Sequence, residues 1–149
     1  MKILDLVDDV RSGCKSVLTT MTLEEYKKLS FFAFNNNGNI DGQRSVIKRS
    51  STAAKIRKRM ADDFRKGAIF PQVVLGVLFS TENMQNLDES KFYMLLESVN
   101  EGQISIIDGM QRSNIYFENY EDNKQQKIRV EFWCSDASTK LLYRMLVLN

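Results

Sequence analysis

Ile106-Ile107-Asp108-Gly109-Met110-Gln111-Arg112 is the stretch on which the reading of this chain turns. Gln103-Ile104-Ser105-Ile106-Ile107 makes a short strand, and Asp108-Gly109 turns at its end because glycine accepts positive φ at little cost. If a helix starts at once, its free N–H groups point into the space above the strand's carboxyl end, which is an anion site by geometry. Arg112 then falls in the first turn, where its fork can hold two phosphate oxygens. Asp108 can cap the helix, bind a ribose hydroxyl or help hold a magnesium ion. Gln111 can orient a water or contact a base. Gly109, Met110, Arg112 and Ser113 are the phosphate-binding set expected here, with Asp108, Gln111 and Arg112 as the groups for any catalysis. The plainer alternative is an ordinary Asp-Gly turn in which Asp108 is only a cap. Residues 110 to about 119 fit either a helix or a strand.

Upstream, Val73-Val74-Leu75-Gly76-Val77-Leu78-Phe79 is a continuous apolar run rich in valine, read as a strand buried on both faces. Ser51 or Thr52 can open a helix whose apolar face is Ala53, Ile56, Met60 and Phe64. Its last turn carries Arg65 and Lys66 and is followed by Gly67, the expected order for a helix end. Thr22-Leu23-Glu24-Glu25 has capping-box spacing and opens a short helix through Leu29. Ile3, Leu6, Val7 and Val10 recur at i, i+3, i+4, i+7 and predict another helix. Phe31, Phe32 and Phe34 read as a strand or extended segment, and Ser80 to Asn86 as a polar loop. A helix follows over Phe92, Leu95, Leu96 and Val99, capped by Asp88 or Ser90. Downstream, Ile128 to Trp133 alternates as a strand, and a last helix carries Leu141, Leu142, Met145 and Leu146. The sum is a mixed α/β (α+β) domain with a small mixed sheet surrounded by helices. Residues 1–35 are expected to be an N-terminal helical extension packed on a domain of residues 36–149.

The chain has 149 residues and a net charge of +2 with no histidine. That removes Ser-His-Asp and Cys-His nucleophile pairs, His metal ligands and imidazole acid-base chemistry. No Gly-Lys-Ser/Thr sequence exists, so there is no Walker A loop. The two cysteines, Cys14 and Cys134, match neither a metal-binding pair nor a secreted disulfide framework. The early acid Asp5 breaks any signal-peptide core, and no apolar run approaches a membrane span. A cytosolic setting is the expectation.

Charge is unevenly spread. Residues 44–66 hold nine bases against two acids, a local +7 that leaves the remainder at −5. A localised basic block is the electrostatic footprint of a polyanion partner. Arg44, Lys48, Arg49, Lys55, Lys58 and Arg59 are therefore the candidate nucleic-acid contacts. The competing reading makes Lys55, Lys58, Arg59 and Lys66 the solvated face of an amphipathic helix.

The Ile106–Arg112 stretch resembles the I-I-D-G-Q-H/Q-R signature of DGQHR and DUF262-type domains, and is similar to the I-I-x-G-E-R-R phosphate motif of ParB. Gly42-Gln43-Arg44 stands where ParB-like proteins place an arginine-bearing strand end. Phe70-Pro71-Gln72-Val73-Val74 resembles the F-P-x-V-V strand of DndB-like proteins. Leu142 to Asn149 looks like the segment that leads into an Asn-x-Gly-Gln stretch in that branch. The resemblance covers about residues 40–149. It implies a ParB/sulfiredoxin-like fold with a nucleotide-sized pocket, in which Gly109, Gln111 and Arg112 contact a phosphate with Asp108 and Arg44 beside them. It implies an NTP as ligand, with Mg2+ at Asp108, and slow NTP hydrolysis. It also implies coupling to DNA in a modification, restriction or phage-defence system, as a homodimer or in a larger defence complex. The alternative is a non-catalytic DNA-binding or transcription-regulatory module using residues 44–66. Met110 and Gln111 depart from the usual Gln-His, which excludes a histidine-dependent step. The chain stops at Asn149 where relatives continue, as a short form, a truncated product or an excised domain would.

Overall fold

The computed structural model describes residues 1–42 and 51–148. Arg44, Lys48 and Arg49 lie outside the described residues. Among the described residues five strands form one sheet: β1 (Lys2–Asp9), β2 (Cys14–Thr22), β3 (Val73–Leu78), β4 (Ile104–Asp108) and β5 (Lys127–Ser135), in the order β1-β2-β5-β3-β4. β3 runs parallel to β5, and the other three pairings are antiparallel. Among the described residues six α-helices surround it: α1 (Leu23–Asn35), α2 (Ser51–Arg65), α3 (Thr81–Met84), α4 (Glu89–Glu97), α5 (Met110–Glu118) and α6 (Ser138–Tyr143), the last continuing as a π-turn over Arg144–Leu148. The mixed α+β class expected from sequence is the class observed.

The first 22 residues correct the expected helical extension. They form the β1-β2 hairpin, bonded into the same sheet as the rest of the chain. The apparent helical spacing has a physical cause. A bulge between Ile3 and Asp5 lets Ile3 face Thr19 and Leu6 face Val17, so residues three apart share one side of the sheet. A bulge inserts one residue and breaks the period of two. Val10, counted on the helical face, is 91% exposed at the hairpin turn.

α1 opens as expected: the Thr22 hydroxyl accepts from the Glu25 N–H, and the Glu25 carboxylate accepts from the Thr22 N–H. It runs six residues past Leu29 and absorbs Phe31, Phe32 and Phe34, correcting the expected strand there. Its buried stripe is Leu23, Tyr26, Ser30 and Ala33. Two of those four residues are small or polar, so hydropathy alone hides the stripe. The predicted loop over 80–86 contains α3, capped by the Ser80 hydroxyl.

β3 is buried on both faces as predicted. One face packs Val73, Leu75 and Val77 with Val17, Val130, Phe132, Ile104 and Ile106 under α1, α2 and α5. The other packs Val74, Ile107 and Trp133 against Leu141 and Met145. At Gly76 a β-carbon would lie 2.8 Å from Leu141 Cδ1, so glycine is what lets α6 sit this close. α2 is held mainly at its C-terminal end. Phe64 is buried and Met60 and Ala61 are partly so, but Ile56 is 55% exposed, which corrects its placement on a continuous apolar face.

Candidate functional site

β4 ends at Asp108, and α5 begins at Met110 with Gly109 as its N-cap at φ 110°, ψ 20°. The open helix-or-strand question over 110–119 is thereby answered as helix. A β-carbon on Gly109 would lie 2.5 Å from Val73 Cγ1 and 3.2 Å from Val73 Cα. The turn thus requires glycine twice over, for its backbone conformation and for its contact with β3. Glycine has no side chain to cap the helix, and no side-chain bond caps α5. The N–H groups of its first turn, at Met110, Gln111 and Arg112, are therefore left without intrahelical partners, the arrangement that attracts anions.

Arg112 folds back along the helix. One of its terminal nitrogens donates to Asp108 Oδ2 at 2.8 Å, and its side chain is 19% exposed against 47% for Asp108. Its Nε is buried and has no partner among the described residues. A buried donor without an acceptor costs about 1–3 kcal/mol, so this guanidinium has unused capacity for an acceptor. Asp108 is not the helix cap but the counter-charge that holds Arg112.

Met110 and Ser113 correct part of the expected phosphate set. Met110 buries its side chain in the main core, leaving only its backbone N–H for a ligand. Ser113 is fully buried: its hydroxyl donates to the Gly109 carbonyl at 2.9 Å and shares a 2.6 Å bond with the Tyr26 hydroxyl. It locks the turn to α1 rather than facing a ligand. Burial pushes the Tyr26 phenol up to about 12, partly offset by its bond to Ser113 and by the Arg112 charge. Burial also raises Tyr116, which stacks with Phe70 and packs on Phe64. Both phenols stay neutral, so Tyr26 remains a hydrogen-bonding clamp across the working range. Gln111 is half-buried in the same turn.

Among the described residues, no group of three or more Cys, Asp or Glu is placed to hold a metal ion. Magnesium asks for only one or two carboxylates when phosphates supply other oxygens. Asp108 fits that role only partly, because one of its oxygens is engaged by Arg112.

No family model, curated protein or solved structure matches the chain. The family resemblance therefore rests on the quoted residues alone.

The basic segment divides. Lys55, Lys58 and Arg59 are exposed on the loosely packed half of α2. Arg65, by contrast, is tied to Asp62 and donates to Asn119 at 2.7 Å. No described helix is long and apolar enough to cross a membrane.

Sequence reading missed a second polar group on the opposite sheet face. Glu131 is almost buried, accepts from the Ser16 hydroxyl at 2.8 Å, and lies 3.6 Å from a terminal nitrogen of Arg144. Arg144 stacks on Trp133 with 4.7 Å to the ring centroid, and its Nε too is buried and without a partner among the described residues. A charged residue set among Val130, Phe132, Trp133 and Cys134 was the available signal.

Proposed function

We propose that this chain binds the phosphate of a nucleotide at the Gly109–Arg112 turn. One observation carries the reading: a helix start that only glycine can occupy, with no side-chain cap, lies beside an arginine whose buried Nε has no acceptor among the described residues. The three amides of Met110, Gln111 and Arg112 supply donors and the favourable end of the helix dipole. Arg112 adds a charge already oriented by Asp108, so little side-chain freedom remains to be lost on binding. Gln111 is the group in this turn able to position a water for slow NTP hydrolysis. Mg2+ would enter with the phosphates and take the free oxygen of Asp108. A role in DNA modification or phage defence is proposed on the resemblance of Ile106–Arg112 to the DGQHR-type motif.

A second reading has its own observation. Lys55, Lys58 and Arg59 project from the part of α2 that the core does not hold, as cations meeting a nucleic-acid backbone would. On that reading the turn is structural and the chain is a DNA-binding module. Calorimetric titration of ATP, GTP and CTP, with and without Mg2+, separates the two. Arg112→Ala should weaken the bound nucleotide by roughly 10–100-fold, the scale of one or two charged hydrogen bonds. Its melting curve should stay cooperative. Unchanged nucleotide affinity in that variant refutes the phosphate site.

A further inference from the structure

A cleft of about 240 Å³ opens on the half of the sheet that α6 leaves bare, lined by Asp5, Val7, Ser16, Leu18, Gln72 and Glu131. Its position relative to the turn follows from strand register. Val74 pairs with Asp108 on one side and with Glu131 on the other. Asp108 and Glu131 are thus two strand spacings apart, about 9.6 Å between backbones. Gln72, two residues before Val74, lies both at the cleft and beside the sheet end that carries Gly109.

The chemistry of the cleft differs from that of the turn. The turn presents donors; the cleft presents two carboxylates, a hydroxyl and an amide. Both contacts to Glu131, from Ser16 and Arg144, fall on Oε1. Oε2 has no partner among the described residues. An almost buried carboxylate with one oxygen fixed and the other without a partner among the described residues suits a ligand that is neutral and rich in hydroxyl donors. A cationic ligand fits less well, since Arg144 already offsets the Glu131 charge.

We infer that this cleft is the sugar subsite of the nucleotide, with Glu131 Oε2 accepting a ribose hydroxyl and Gln72 contacting the sugar alone, on the side nearer the turn. The inference rests on the phosphate reading above. An acidic side chain on ribose hydroxyls is a recurrent solution in nucleotide sites. Here it comes from the middle strand of the sheet and is held rigid by Ser16 and Arg144.

The test measures binding of the four ribonucleoside triphosphates, their 2′,3′-dideoxy counterparts and inorganic triphosphate to the full chain. Wild type should prefer the ribonucleotide over its dideoxy analogue by about tenfold or more, the scale of a hydrogen bond to a charged group. Glu131→Gln and Gln72→Ala should each reduce that preference severalfold while leaving inorganic triphosphate affinity unchanged. Gln72 is exposed, so its variant keeps the test readable if Glu131→Gln unfolds. Equal affinity of wild type for ribo and dideoxy forms, or a preference that survives both substitutions, overturns the sugar subsite and leaves the phosphate turn standing. Failure of every triphosphate, inorganic included, to bind wild type overturns both.

Discussion

Replacing Gly109 with alanine puts a β-carbon 2.5 Å from Val73 Cγ1, 2.9 Å from Val73 Cβ and 3.2 Å from Val73 Cα, on a backbone at φ +110°. Two costs combine. Left-handed backbone costs a non-glycine residue about 1–2 kcal/mol. Forcing atoms into a packed site costs about 1–3 kcal/mol more, and here a backbone atom is among the neighbours, so rotamer change alone cannot relieve it. The total is ~2–5 kcal/mol, a substantial part of a typical domain stability of roughly 5–15 kcal/mol. For a chain of this size that corresponds to a drop in Tm of roughly 4–20 °C. Gly67 supplies the control: it sits at φ +89°, but a β-carbon there meets nothing within 4 Å. Gly67→Ala should therefore show the backbone cost alone, about 1–2 kcal/mol. Urea unfolding followed by circular dichroism gives both values on one scale. If Gly109→Ala costs no more than Gly67→Ala, the close approach of Val73 to the turn is wrong, and with it the reason glycine must open α5.

Tyr26→Phe removes the bond to Ser113 and should cost about 0.5–1.5 kcal/mol, the scale of one hydrogen bond, because the Ser113 hydroxyl keeps its bond to the Gly109 carbonyl; chemical denaturation at pH 7 measures it. The same phenol gives a pH signature. Its folded pKa of about 12 lies above the ordinary 10.0, so its contribution to stability is complete below pH 10 and is lost as pH rises from 10 towards 12. Tyr26→Phe should flatten the alkaline fall in stability over that window, and an identical slope would contradict the clamp. Thr22→Ala breaks the capping box of α1 and should lower stability by about 1 kcal/mol without affecting ligand binding; thermal melts and calorimetry check the two halves. Alanine at Lys55, Lys58 and Arg59 together should make the slope of log K against log salt for duplex DNA less negative by about 2.7 if all three meet phosphates. An unaltered slope would assign these cations to solvation alone.

Where the sequence was legible, local chemistry and tertiary demand agreed. β3, the Thr22 capping box, the Gly67 helix end and the β4-Gly109-α5 turn each carry residues whose intrinsic preference matches their final conformation. The N-terminal hairpin was not legible because the bulge at Leu4 gave a strand the spacing of a helix. The length of α1 was hidden because its buried stripe passes through Ser30 and Ala33. At the candidate site, Asp108, Gly109, Gln111 and Arg112 were all found, since a turn motif is contiguous in sequence. The internal role of Ser113 was not, because its partner Tyr26 is 87 residues away. Nor was the role of Glu131. Its ties to Ser16 and Arg144 depend on strand order and on the path of the segment after α6, neither of which is written locally.

The most direct measurement is an amide chemical-shift titration of the isotope-labelled chain with a nucleoside triphosphate. The Met110, Gln111 and Arg112 N–H signals should move first and saturate together, with the Arg112 Nε–H following as it gains an acceptor. Shifts that leave those four protons in place while other regions respond would contradict the phosphate turn.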